Sequence, residues 1–316
     1  MNLKFVSSAL SGKNDVWRYC VGLVTILGCW LTSATIAQTA LITPFPGGDG
    51  EFSRTAESPA LGALDSSRLS ALMHDYVLLN LPFVVFGACV IGVVAMLHRR
   101  SPLTLITPKR QFCYQRFWAG FGVWLVLSGG QMAIEYGLRP AAFTHDFQVQ
   151  HWLLFVPVAL ILTPLQTSAE EIFFRGYLLQ ALGLLIRQPV VLAIVTSLPF
   201  AMVHLANPEM GRDALWMGLS YFLLAIFLTV ITLADGRLEL ALGVHAANNL
   251  FVVLLVNTPD SALPTPALFV QYSPSPPRLT FMLLLAASGI FYIVFFNRKK
   301  QRPIDTTAPD SPESDS

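Results

Sequence analysis

"SAEEIFFRGYLLQ", residues 168–180, sets two adjacent carboxylates and an arginine between the apolar run 152–163 and the apolar residues of 182–186. Ionisable groups are expensive inside a bilayer and persist where they face a cavity or a partner. The rest of the chain decides whether this stretch lies in one. It has 316 residues, 54% of them hydrophobic and 12% charged, with a mean hydropathy of +0.58. The apolar residues fall in long runs rather than in amphipathic alternation, which is the pattern of an integral membrane protein.

A spanning helix needs roughly 20 mostly apolar residues. On that rule eight spans are expected, at about 17–42, 76–97, 117–136, 151–167 continuing into the quoted stretch, 189–206, 214–233, 240–256 and 279–296. A backbone in lipid must satisfy its own hydrogen bonds, so the fold class is all-α, a polytopic helical bundle. Lys4, Lys13 and Arg18 precede or open the first run. His98, Arg99, Arg100, Lys109, Arg110 and Arg116 follow the second, and Arg298, Lys299, Lys300 and Arg302 follow the last. The positive-inside rule puts these three groups in the cytoplasm, which eight crossings with both termini inside satisfies. The stretch 43–75, richer in acid than in base, then falls outside as a loop.

The net charge of +1 suggests no nucleic-acid partner. The first apolar run is longer than the 7–15 residues usual for the core of a signal peptide and reads as an uncleaved anchor. Cys20, Cys29, Cys89 and Cys113 have no CxxC spacing, so neither a disulfide framework nor a thiolate metal site is indicated. The tail 301–316 is polar and rich in Pro and Ser, a composition that cannot bury a core, and is expected to be a disordered cytoplasmic tail.

Three places inside the apolar runs carry polar side chains with chemical potential. Glu171 and Arg175 stand four apart on one helix face and can neutralise each other. Glu170 is turned about 100° from Glu171 and cannot share that partner as easily, which suits a general base or a ligand. "FAMVH", residues 200–204, brings His204, which alone reads more readily as a satisfied core histidine. "HAANN", residues 245–249, puts His245 and Asn249 on one face with Asn248 pointing elsewhere. That pair offers two donors to one oxyanion, a ligand with a weaker neighbour, or simply an interhelical clamp. A carboxylate, two histidines and an asparagine from three helices form a set able to activate water and stabilise a tetrahedral intermediate, and packing alone has little need of all four.

The ordered motifs E-E-x-x-x-R in "EEIFFR", F-x-x-x-H in "FAMVH" and H-x-x-x-N in "HAANN" resemble the CPBP family of intramembrane proteases. This group includes type II CAAX prenyl endopeptidases and bacteriocin-processing or immunity proteins of the Abi type. The match is densest over residues 152–256, and 101–121 looks like the basic loop and helix that precede the core in bacterial members. The resemblance implies a bundle around an intramembrane cavity, opening to lipid or to the cytoplasmic face, and an endopeptidase acting on membrane-associated protein or peptide substrates. By position, Glu170 and His204 would orient and deprotonate the attacking water, His245 and Asn249 would hold the oxyanion, and Glu171 and Arg175 would support them. It implies an N-terminal region 1–137 with the basic loop, a protease core with the last helix over 138–300, and the tail. The family is called a metalloprotease family. Glu170, His204 and His245 would be the candidates for a divalent metal such as zinc, although no HExxH is present.

Two other functions compete. A catalytically silent immunity or scaffold protein would use the same residues as clamps, and a proton-coupled transporter would relay protons through them, although no inverted repeat is visible. Nothing in the sequence reads out a prenyl group, and the organisation suits a bacterial inner membrane. At depth, His204 falls near the outer end of 189–206 and His245 near the inner end of 240–256, so these helices must be broken or tilted if the two histidines are to meet. Pro164 is a candidate kink or end for the helix that leads into the motif.

Overall fold

The computed structural model describes residues 5–42, 66–109, 111–144 and 147–297. Helices form at every expected run: α1 (Val16–Ile42), α2 (Ser66–Gly92), α3 (Tyr114–Leu138), α4 (Val149–Glu171), α5 (Leu179–Gly183), α6 (Pro189–Val203), α7 (Ala214–Asp235), α8 (Glu239–Leu254) and α9 (Pro277–Phe296). Between α4 and α5 the chain stays helical but widens into a π turn, Ile172–Leu178, so Val149–Gly183 is one rod of 35 residues. Pro157 and Pro164 lie inside α4 without ending it, as packed neighbours in a bundle allow.

Six of these helices are long and apolar enough to cross a membrane, and α6 and α8 are not. Of the eight expected spans, six are such long helices and two are short, of 15 and 16 residues. Helix α2 begins at Ser66, because 66–75 continues the helical pattern of the span, while 43–65 lies outside the described residues, as does the tail 301–316.

The elements gather into two ends. At one, His98 bonds to the Lys13 carbonyl, Arg100 to Gln180, the Leu238 N–H to the Ile106 carbonyl and Arg116 to Asp235. This end collects Lys13, Arg18, Arg99, Arg100, Lys109 and Arg116. At the other, three short strands that the all-α expectation did not include, β1 (Phe143–Thr144), β2 (Val256–Asn257) and β3 (Phe269–Gln271), form a sheet ordered β1-β3-β2. Phe143 pairs with Gln271 antiparallel, and Val256 with Phe269 parallel. The strands give the loops after α3 and α8 a place for backbone groups that would otherwise face the bundle unpaired.

The core joins both halves of the chain. Phe86, Trp124, Phe173, Phe174, Tyr177, Phe200, Phe227 and Phe291 belong to one buried cluster. Helices α3 and α8 run side by side at backbone contact. A Cβ on Gly120 would come 2.5 Å from the Leu240 carbonyl oxygen, and one on Gly243 would come 2.1 Å from that of Phe117. Small residues that let helix backbones touch are the usual means of packing where lipid supplies no hydrophobic drive. Here they bring the HAANN helix against Trp124.

Candidate active site

Glu171 and Arg175 are fully buried and pair at 2.7 Å, as their spacing implies. Arg175 also donates to the Ala225 carbonyl at 3.0 Å and to Thr229 Oγ1 at 3.4 Å, and its guanidinium lies 4.4 Å from the centre of the Phe200 ring. The π turn carries Arg175 into this position, and π turns recur at functional sites because they re-aim side chains at small cost to the helix. Glu171 does more than support Arg175. Its Oε1 also accepts from His245 Nδ1 at 2.8 Å, so the motif helix and α8 meet on one carboxylate, with α7 joined through Arg175.

That bond fixes the imidazole. Because Nδ1 donates to Glu171, the other nitrogen, Nε2, is the one offered for chemistry. It lies 3.7 Å from Glu170 Oε2. Glu170 is 4% exposed; its Oε1 accepts from Gln166 at 3.2 Å, and its Oε2 makes no hydrogen bond among the described residues. The two neighbouring acids thus have opposite surroundings. Each leaves its Oε2 without a hydrogen bond among the described residues, but Glu171 Oε1 takes bonds from an arginine and a histidine, whereas Glu170 Oε1 has one neutral donor and its free Oε2 stands beside a histidine.

His204 caps the end of α6, its Nδ1 bonded to the Phe200 carbonyl at 2.7 Å. A carbonyl only accepts, so the proton is on Nδ1 and Nε2 keeps its lone pair in the neutral ring. Phe200 packs against both histidines, with ring centres 4.6 Å from His204 and 5.8 Å from His245. The conflict of depth is resolved by the length of α6. Its 15 residues cover about 22 Å, so His204 ends the helix inside the bundle rather than at the far surface.

Asn248 does not point elsewhere. Its Oδ1 accepts from Trp124 Nε1 at 3.2 Å and its amide donates to Asn249 Oδ1 at 3.1 Å. Asn249 is oriented through this relay, with its own amide donors left uncommitted among the described residues.

His204, His245, Asn248 and Asn249 line one cavity of about 370 Å³, together with Gln166, Phe200 and Tyr221. Glu170 is not on its wall but touches it through Gln166 and His245. The cavity continues past Glu135, Arg212, Thr258, Gln271 and Ser275, all from segments of the sheet end. Its wall thus extends toward the end of the bundle opposite the basic loops. The links that sequence reasoning missed are Glu171 to His245, Gln166 to Glu170, and Trp124 through Asn248 to Asn249. Only Gln166 had a visible signal, standing four residues before Glu170 on one face.

Among the described residues no group of three or more His, Cys, Asp and Glu side chains is arranged to hold a metal ion. The expected candidates show why. Glu170 and His245 adjoin each other, whereas His204 bonds the Phe200 carbonyl through Nδ1. A zinc site with three protein ligands does not fit the described side chains.

Residues 149–251 match the family described as Type II CAAX prenyl endopeptidase Rce1-like, which bears out the resemblance read from the three motifs. The chain is also 29% identical over 298 residues to "Uncharacterized protein YyaK" of Bacillus subtilis (strain 168), covering 93% of this chain and 96% of the relative. No solved structure matches.

Proposed function

We propose that this integral membrane protein is an intramembrane endopeptidase that hydrolyses peptide bonds of membrane-associated protein or peptide substrates. The observation that carries the reading is the asymmetry of the two acids. A nearly buried carboxylate with a free oxygen, Glu170 Oε2, stands 3.7 Å from a histidine nitrogen whose ring is locked from behind by Glu171. A general base must be within hydrogen-bond reach of the proton it takes, directly or through one water.

In the proposed reaction a water held between Glu170 and His204 Nε2 gives its proton to the Glu170 carboxylate as its oxygen bonds to the scissile carbonyl carbon. The carbonyl oxygen gains the negative charge and takes hydrogen bonds from Asn249 and from His245 Nε2. Since His245 Nδ1 already donates to Glu171, this role needs the imidazolium form, whose charge the carboxylates at its two nitrogens would balance. The intermediate collapses with cleavage of the C–N bond, and the proton held by Glu170 passes to the leaving nitrogen. The products are a carboxylic acid and an amine.

On this reading the basic end faces the cytoplasm, as the positive-inside rule asks, and the membrane is a bacterial inner membrane. Substrate reaches the cavity from the lipid or from the sheet end. The working core is wider than 138–300, because Trp124 of α3 holds Asn248. The test is comparative proteomics of membranes carrying the parent chain or its Glu170→Ala form. Cleavage fragments of membrane-associated proteins should accumulate only with the parent, and identical peptide profiles would overturn the reading.

A further inference from the structure

Helix α3 sends Ser128, Gln131, Met132 and Glu135 into the cavity, a spacing of i, i+3, i+4 and i+7 that defines one helix face. Glu135 is 9% exposed and takes all its bonds from neutral groups: Gln131 Nε2 at 3.2 Å, Gln271 Nε2 at 3.4 Å and Ser275 Oγ at 2.9 Å. Ser275 Oγ also accepts from Gln271, so its proton is free to go to Glu135. Every side-chain bond of this carboxylate is one that it accepts, and none comes from a cation.

Among the described residues, no cation of the wall bonds that carboxylate. Arg139, one turn away, is spent on Ser273 and the Pro274 carbonyl. Arg212, the one arginine of the cavity wall among the described residues, is held by Asp260 and Thr258. A second wall carboxylate, Glu209, is bonded by Tyr221 and Asn207, and its Oε2 is buried with no partner among the described residues. Burying a carboxylate with no cation bonded to it is costly, which is reasonable where a cation arrives from outside.

We propose that the part of the cavity around Glu135 is a subsite for a cationic group of the substrate, a lysine or arginine side chain or a free amino terminus. The proposal deepens the peptidase reading and rests on it for the substrate being a peptide. Trp124, which marks the level of Asn248, is eleven residues before Glu135, about 16 Å along α3. An extended chain covers that distance in about five residues. The long side chain of lysine or arginine shortens the requirement, so the cation belongs about three to five residues from the bond that is cut.

The test is equilibrium binding to the full-length Glu170→Gln form in detergent. The probes are 12-residue peptides of alanine, leucine and serine carrying one lysine, matched by peptides with norleucine in its place, each with a free or an acetylated amino terminus. The lysine or free-amine peptides should bind on the order of tenfold more tightly than their neutral partners, the scale of one hydrogen bond to a charged group. The acetylated arm tells a side-chain cation from a terminal one. Adding Glu135→Gln should bring the ratio near one, Glu135→Asp should retain most of it, and Glu135→Lys should reverse it. Equal or absent binding of charged and neutral peptides, or a preference that survives Glu135→Gln, overturns the proposal. Should Glu135→Gln not fold, the ratio in the chain with Glu135 intact and a scan of the lysine position decide. A charge preference without any cleavage by the parent would retain the subsite and discard the peptidase.

Discussion

His98 and His245 are both buried histidines, 0% and 2% exposed, each bonded to an aromatic or acidic neighbour of the motif helix. They differ in what is left over. His98 donates from Nδ1 to the Lys13 carbonyl at 2.8 Å and accepts at Nε2 from the Tyr177 hydroxyl at 3.0 Å, so both nitrogens are spent inside the fold. His245 spends Nδ1 on Glu171 and keeps Nε2 for the Glu170 side of the cavity. The basic end uses its histidine as a clamp among the N-terminal segment, α2 and the motif helix. The cavity holds its histidine as a ring fixed at one nitrogen, with the other turned to Glu170. Burial alone therefore does not separate a structural histidine from a reactive one; the count of committed nitrogens does.

The largest expected effect is on the frame behind His245. Arg175→Ala removes the partner of Glu171 and leaves an uncompensated buried charge, a loss of roughly 3–5 kcal/mol. Thermal unfolding in detergent and membrane abundance should both fall. A variant as stable as the parent would mean that the Glu171 cluster is not what holds the ring.

The two histidines should then part in their responses. His245→Phe is expected to lower peptidase rate by on the order of 10²–10³, the scale of losing one oxyanion donor, in whatever protein still folds. His98→Phe should act on stability, by about 1–3 kcal/mol for the groups it leaves unpaired, with the rate per folded molecule preserved. The pH response sharpens this contrast. Burial holds the His98 imidazole below its ordinary 6.5, the Lys13 carbonyl opposing and Arg100 and Arg18 reinforcing the shift. A histidine kept neutral in the fold contributes stability that is whole above about pH 6.5 and is lost as pH falls through the lowered value. Unfolding temperatures measured from pH 7 downward should drop in the parent and less steeply in His98→Phe. Parallel curves for the two would break the assignment of His98 as the clamp.

The smallest effect belongs to Gln166. It makes a single bond to Glu170, and if that carboxylate is the base as proposed, Gln166→Ala should cost about 1 kcal/mol, near fivefold in kcat/KM. An unchanged rate would show that His245 and the packing alone hold Glu170.

Much of this arrangement was legible in the residues. Runs of twenty apolar residues announce helices because lipid leaves the backbone no other partner, and the i, i+4 pairing of Glu171 with Arg175 follows from helix geometry. Other features depend on contacts between segments far apart in the chain. The bond from His245 to Glu171 joins residues 74 apart, and Trp124 reaches Asn248 across 124. The shortness of α6 was hidden because 189–206 is apolar throughout, and hydropathy does not register where a helix stops inside a bundle. The three strands were invisible for a similar reason: two- and three-residue pieces carry no period to detect.

In the proposed peptidase, neighbouring acids divide the labour, Glu171 for the frame and Glu170 for the chemistry. Peptidase rate and unfolding temperature measured together for Glu170→Gln and Glu171→Gln in the purified full-length chain separate the two roles. Glu170→Gln should lose on the order of 10²-fold or more in rate while unfolding close to the parent, and Glu171→Gln should unfold at a clearly lower temperature. A Glu170→Gln chain that retains most of its rate, or that unfolds as early as the Glu171 variant, would contradict that division.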